Sequence, residues 1–176
     1  MRHCLLFALL LPAGHLVAQQ TAPVPTLTAA ECEVWARELS FAQSVAGHDA
    51  AAFAAHLHPQ AAFNSGAAQP LRGSETIAAA WADIVAGKGL KLSWYPSRVT
   101  IGGPGDVAWS SGPALFEHLA PDAPQRYSVG TFHSVWHKDA DGIWRVLFDE
   151  GAGRQPASEA DVQAFHAGRR TECPQG

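Results

Sequence analysis

The sequence predicts an α+β domain in which three N-terminal helices pack on one face of a curved, mostly antiparallel sheet. Three observations carry that expectation. Apolar residues recur every three or four positions through the first half, beginning behind a helix-capping signature at Thr28. The second half changes period: β-branched and aromatic runs at 91–101, 106–118, 125–138 and 143–150 are separated by the turn sequences GGPG, PDAP and DADG. A composition of 47% hydrophobic and 16% charged residues over 176 positions is that of one globular domain, not a disordered chain.

Residues 1–18 have the layout of a secretory signal peptide: a short polar start at Arg2 and His3, an apolar run, then Pro12, Gly14 and the small cleavage residue Ala18. The apolar run is far shorter than the roughly 20 residues that span a bilayer, and Cys4 lies too early in it to carry a lipid. A periplasmic or secreted product, with no membrane attachment after cleavage, is expected. Cleavage would also remove Cys4 and leave the even pair Cys32 and Cys173, which suggests one disulfide in an oxidising compartment. Two free thiols are the alternative.

Residues 19–27 form a Pro-containing linker, and the domain is expected over 28–152. Thr28 and Glu31 make a capping box, each satisfying an orphan helix amide. Behind them Cys32, Trp35, Leu39, Ala42 and Ala46 form one stripe of a first helix, which Gly47-His48 ends. Asp49 caps a second, Ala-rich helix to about His58, and Pro59 stops it. Ser74 caps a third, with Ile77, Trp81, Ile84 and Val85 on one face. The four β runs then form a meander, and the segment 153–176 is a polar tail with one short helix after Ser158.

Such a short sheet cannot enclose a core alone, so the helices cap its concave face and leave a cone-shaped cavity. The order of these elements resembles the NTF2-like superfamily, and within it the DUF4440/SnoaL-like branch. The resemblance covers about residues 33–151. It is carried by Glu38-Leu39-Ser40-Phe41-Ala42, by Asp49-Ala50-Ala51-Ala52-Phe53 and by Leu71 to Ile77. Trp94-Tyr95-Pro96, Gly130 to Trp136 and Asp141 to Val146 complete it. It implies a cone that binds a small, largely apolar molecule, and a homodimer formed through the sheet. The superfamily's steroid isomerases place a general-base Asp after the first short strand; here that segment reads Phe63-Asn64-Ser65-Gly66, and the first helix offers Phe41 but no Tyr. The isomerase constellation is therefore not expected.

A three-residue hairpin loop at 140–142 pairs Asp139 with Ile143, Trp136 with Val146, Ser134 with Phe148 and Phe132 with Glu150. The cavity would then be lined by Phe132, Ser134, Trp136, Phe148 and Glu150, with Phe63, Trp81 and Trp94 as aromatic company. A one-residue bulge would swap the faces and bring His133 and Asp149 inside. The catalytic candidates are accordingly His133 with Asp149 as a general-base dyad, or Glu150, acting on a polyketide- or steroid-like substrate. A non-catalytic accessory domain whose cone is filled by its own side chains is the third reading.

No metal or cofactor is expected: nine histidines show no HExxH spacing, there is no CxxC, and the GGPG turn lacks the Lys and helix of a phosphate loop. A formal charge of −4 without a basic cluster excludes a nucleic-acid partner. The expected partner is a small-molecule ligand.

Overall fold

The computed structural model describes residues 26–174; the expected signal peptide, Cys4 and most of the linker lie outside the described residues. Four helices pack on one curled, mixed sheet. Helix α1 (Ala29–Ala46) starts at the capping box, where the Thr28 hydroxyl accepts from the Glu31 amide at 3.2 Å and the Glu31 carboxylate accepts from the Thr28 amide at 2.9 Å. Its buried face is rotated from the expected stripe: Val34, Glu38, Phe41 and Val45 join Trp35 and Ala42, while Ala46 is exposed. Helix α2 (Ala50–His56), capped by Asp49, ends two residues earlier than expected because β1 (Leu57–Phe63) begins at once. Pro59 thus sits inside a strand, where it has no amide to give; the β1 ladder is correspondingly irregular between Leu57 and Ala62.

Strand β2 (Leu71–Arg72) leads into α3 (Ser74–Val85). Ser74 is the first helical residue and not the cap; Gly73, at φ +85°, holds the cap position without a side-chain bond. The expected 91–101 strand is two strands, β3 (Leu90–Trp94) and β4 (Arg98–Gly102), which pair with the two halves of the long β5 (Val107–His118). They meet over Gly112, where an added Cβ would lie 2.0 Å from the Tyr95 carbonyl oxygen, so only glycine fits. Strands β6 (Tyr127–Lys138) and β7 (Trp144–Pro156) complete the meander, and β7 also takes β1 in parallel. The sheet order is β2-β1-β7-β6-β5-β3, with β4 on β5.

The β6–β7 hairpin departs from the expected register at two bulges. Trp136 pairs with Val146 but Val135 pairs with Phe148, so Leu147 is an extra residue and every β7 side chain beyond it changes face. Ser134 therefore pairs with Asp149, His133 with Glu150 and Phe132 with Gly151. A second extra residue falls near Gly153, at φ +63°, between the Thr131–Ala152 and Val129–Gln155 pairs.

The tail beyond 152 is not loose. Helix α4 (Glu159–Ala167) opens on a Ser158–Asp161 capping box and packs Phe165 against Tyr95, ring centroids 4.9 Å apart. Cys32 and Cys173 form a disulfide that closes 141 residues. We expect denaturing, non-reducing alkylation to leave both cysteines unlabelled, and reduction to cost up to about 4–5 kcal/mol of stability in the chain-entropy picture. Labelling of both without reductant would contradict the pairing. Among the described residues no helix is long and apolar enough to cross a membrane.

Candidate functional site

The helices do not fill the concave side of the sheet. A cavity of about 340 Å³ remains between α3 and strands β3, β5, β6 and β7. Its walls are apolar: Trp81 and Ile84 come from α3, Leu90, Leu92 and Trp94 from β3, Ala114 and Phe116 from β5, and Phe132 from β6. Its polar lining residues are Asn64, just after β1, Thr131 of β6, and Asp149, Glu150 and Arg154 of β7.

Local backbone explains how these polar residues get there. Asn64 ends β1 in a left-handed conformation, φ 55°, which Asn tolerates, and its amide donates to the Asp149 carbonyl at 2.9 Å. The Leu147 bulge turns Asp149 inward and leaves Phe148 outside, 42% exposed. Arg154 follows the second bulge. Its guanidinium lies 4.1 Å from the Phe116 ring centroid, and its Nε donates to Ser128 Oγ at 3.0 Å. Since Arg only donates, His118 Nε2 accepts from Arg154 Nη2 at 2.7 Å.

Asp149 has an unusual setting. Its Oδ2 is bonded to the Ser134 hydroxyl at 2.7 Å, and Ser134 is fully buried. Loss of solvation, with the nearby negative charges of Glu38 and Glu150, pushes the Asp149 carboxyl up to about 7. Behind it, Glu38 on α1 is wholly buried and accepts from Trp94 Nε1 at 2.6 Å, Ser110 Oγ at 2.6 Å and Trp136 Nε1 at 3.0 Å. Burial raises its carboxyl as well.

Of the expected lining residues, Trp81, Trp94, Phe132 and Glu150 are on the cavity wall. Phe63 lies behind it, its ring 5.5 Å edge-on from Trp81, and Trp136 is core, tied to Glu38. Ser134 is one layer behind Asp149. Phe148 is on the opposite face, a consequence of the bulge. The His133–Asp149 dyad does not form: His133 stays on the outer face, stacked 5.7 Å from Trp109, while Asp149 turns inward to Ser134. Glu38, Asn64 and Arg154 were not among the candidates. Glu38 was findable, as the only charge within the run Trp35, Glu38, Ala42, Val45 at helical spacing.

A second cluster lies elsewhere. One ligating atom each of His58, His137 and Asp139 falls within 4.8 Å of the others, a grouping able to hold a metal and not anticipated from spacing. His137 Nδ1 is 2.6 Å from Asp139 Oδ1, His58 Nε2 is 3.4 Å from the same oxygen, and Arg145 Nη1 takes Oδ2 at 2.6 Å. The Gln60 amide donates to His58 Nδ1 at 3.0 Å, which puts the proton of the neutral ring on Nε2, facing Asp139. The arrangement is a hydrogen-bonded charge cluster joining β1, β6 and the β6–β7 turn.

No family model matches the chain, and no curated protein matches it. Solved structures do. An NTF2-like superfamily protein from Salmonella enterica serovar Typhimurium superposes with a TM-score of 0.56 at 20% identity, covering 74% of this chain and 93% of that one. An NTF2-like protein of unknown function from Pseudomonas putida gives 0.58 at 16% identity, with 78% and 94% covered. The chain has the NTF2-like fold. A candidate ketosteroid isomerase from Shewanella frigidimarina gives 0.55 at 17% identity, with 70% and 98% covered. At these identities the likeness speaks for the NTF2-like fold alone. That fold, with its open cone, is consistent with a small-molecule-binding domain.

Proposed function

We propose that this NTF2-like domain is exported and binds a small, largely apolar molecule in its cone, within a DUF4440/SnoaL-like setting. The observation that carries the reading is the cavity itself: aromatic and aliphatic walls with a few polar residues among them, the usual form of a small-ligand site. An open hollow counts against a cone filled by its own side chains. The disulfide fits an oxidising compartment such as the periplasm or the cell exterior.

The proposal includes a homodimer formed through the outer face of the sheet. Trp109, Val135 and Phe148 lie in register across β5, β6 and β7, and Trp109 and Phe148 are 37% and 42% exposed. Such an apolar row is suited to cover by a second copy.

One observation favours a second reading, an acid–base enzyme on a polyketide- or steroid-like substrate. A cavity carboxyl at about 7 can hold or release a proton at neutral pH, so Asp149 is the proton carrier in that reading. His133 has no part in it.

Native mass spectrometry of freshly purified protein tests the binding proposal. The expected spectrum shows two subunits with an added small-molecule mass that gentle activation releases. A bare chain mass, with no adduct in any preparation, would count against both the ligand and the dimer.

A further inference from the structure

One cation lines the cavity, and it has no counter-ion. Among the described residues Arg154 takes part in no ion pair, whereas Arg126 holds Glu117 and Arg145 holds Asp139 and Asp141. The two cavity carboxyls are engaged elsewhere. Asp149 is bonded to Ser134, and Glu150 extends toward the loop after β1, its Oε2 3.7 Å from where a Cβ on Gly66 would stand.

The backbone aims the Arg154 side chain at the cavity. Strict alternation from the inward Asp149 would send residue 154 to the outer face. The extra residue near Gly153 returns it to the cavity side. Gly130 on the facing strand leaves room for the bulge: a Cβ there would lie 3.0 Å from the Ala152 carbonyl oxygen and 3.4 Å from Arg154 Cα. The guanidinium then lies on the ring of Phe116, itself a wall residue, while Ser128 holds Nε and His118 holds Nη2. These three contacts fix the plane of the group. They use two of its five N–H bonds and leave both on Nη1 and one on Nη2.

A fixed guanidinium with spare donors on both terminal nitrogens matches a planar anion with two oxygens. Charge narrows the choice further. No other lining residue is cationic, so a single negative charge is balanced. A phosphate monoester, with about two charges at neutral pH, would be left partly uncompensated beside Asp149 and Glu150.

We propose that Arg154 is the specificity-determining residue of the cone: it takes the carboxylate of a small, largely apolar carboxylic acid whose hydrocarbon body lies against Trp81, Trp94 and Phe132. Phe116 shields one face of the guanidinium from water, which strengthens the pairing. Uncharged molecules of the same shape are held by the walls alone and bind more weakly.

This inference rests on the ligand-binding proposal and narrows it to one chemical class. Calorimetry on the whole protein at pH 7 compares two acids with amides of nearly the same shape: cinnamate with cinnamamide, and naphthoate with naphthamide. The acid of each pair is expected to bind about tenfold more tightly or better. In Arg154→Gln the acid should fall to the level of the amide. Arg154→Lys, which keeps the charge without the fork, should recover only part of the preference. A wild type that binds amide as tightly as acid would overturn the role of Arg154 while leaving the cone as a ligand site. An acid preference undiminished in Arg154→Gln would overturn it as well. Binding of neither form by the wild type would remove the ligand proposal and this one together. Arg154 is exposed and outside the core; should Arg154→Gln nevertheless not fold, the acid-to-amide ratio of the wild type decides.

Discussion

Asp149→Asn is expected to be more stable than the wild type at pH 8, by up to about 4 kcal/mol, and to gain almost nothing at pH 4. An unfolded Asp releases its proton near 3.9, whereas folded Asp149 holds it to about 7. The contribution of a raised carboxyl is complete below the unfolded value and is lost as pH climbs to the folded one. Asn carries no such penalty and keeps the bond to Ser134. His56 works in the opposite direction. Its folded value near 4 lies below the ordinary 6.5, so its contribution is intact above 6.5 and drains away as pH falls toward 4. The two slopes oppose each other between about pH 4 and 6.5, which makes wild-type stability nearly flat there. Asp149→Asn unmasks the His56 slope. Urea midpoints at pH 4, 6 and 8 check this, and equal gains at all three would contradict it. A carboxyl retained at a cost to stability in a cavity is the mark of a group kept for binding or chemistry.

Glu38→Ala should have the largest destabilising effect, roughly 3–5 kcal/mol. The substitution leaves the Trp94 indole proton and the Ser110 hydroxyl without their acceptor in a buried site, and Trp136 Nε1 with Ser110 Oγ alone. It also opens a void beside Phe41, whose ring packs 5.3 Å from Trp94. For a domain of this size that corresponds to a fall in Tm of about 10–20 °C. A thermal melt within a few degrees of the wild type would show that the network bears little of the fold's stability.

Much of the architecture was legible in local pattern. The Thr28 capping box, the helical stripes and the turn-separated β runs led to an α+β cone, because each depends on residues close in sequence. The Cys32–Cys173 pair followed from cysteine count and compartment. What local pattern could not supply was register. Whether Phe148 or Asp149 faces inward depends on one extra residue at Leu147. That residue is placed by β7 having to match β6 on one side and parallel β1 on the other. Alternation considered a swap of both faces together. The bulge instead leaves β6 as expected and turns β7 alone, which is why Ser134, and not His133, became the partner of Asp149. The division of 91–101 into β3 and β4 is likewise tertiary, since both halves rest on β5 across Gly112. Glu38 stands in the sequence within the Glu38–Ala42 segment that carries the resemblance, with no site role expected of it, because a helical Glu is ordinarily exposed.

The hollow, and its use, can be tested on the protein alone. Thermal melts are recorded with a panel of uncharged aromatic and polycyclic compounds and their carboxylate counterparts, on the wild type and on Ile84→Trp, whose added ring would occupy the space beside Trp81. A rise in Tm with uncharged members of the panel for the wild type, absent in Ile84→Trp, is the expected result. A wild type that responds to nothing, or a variant that responds equally well, would mean that the cone is not where this protein takes its ligand.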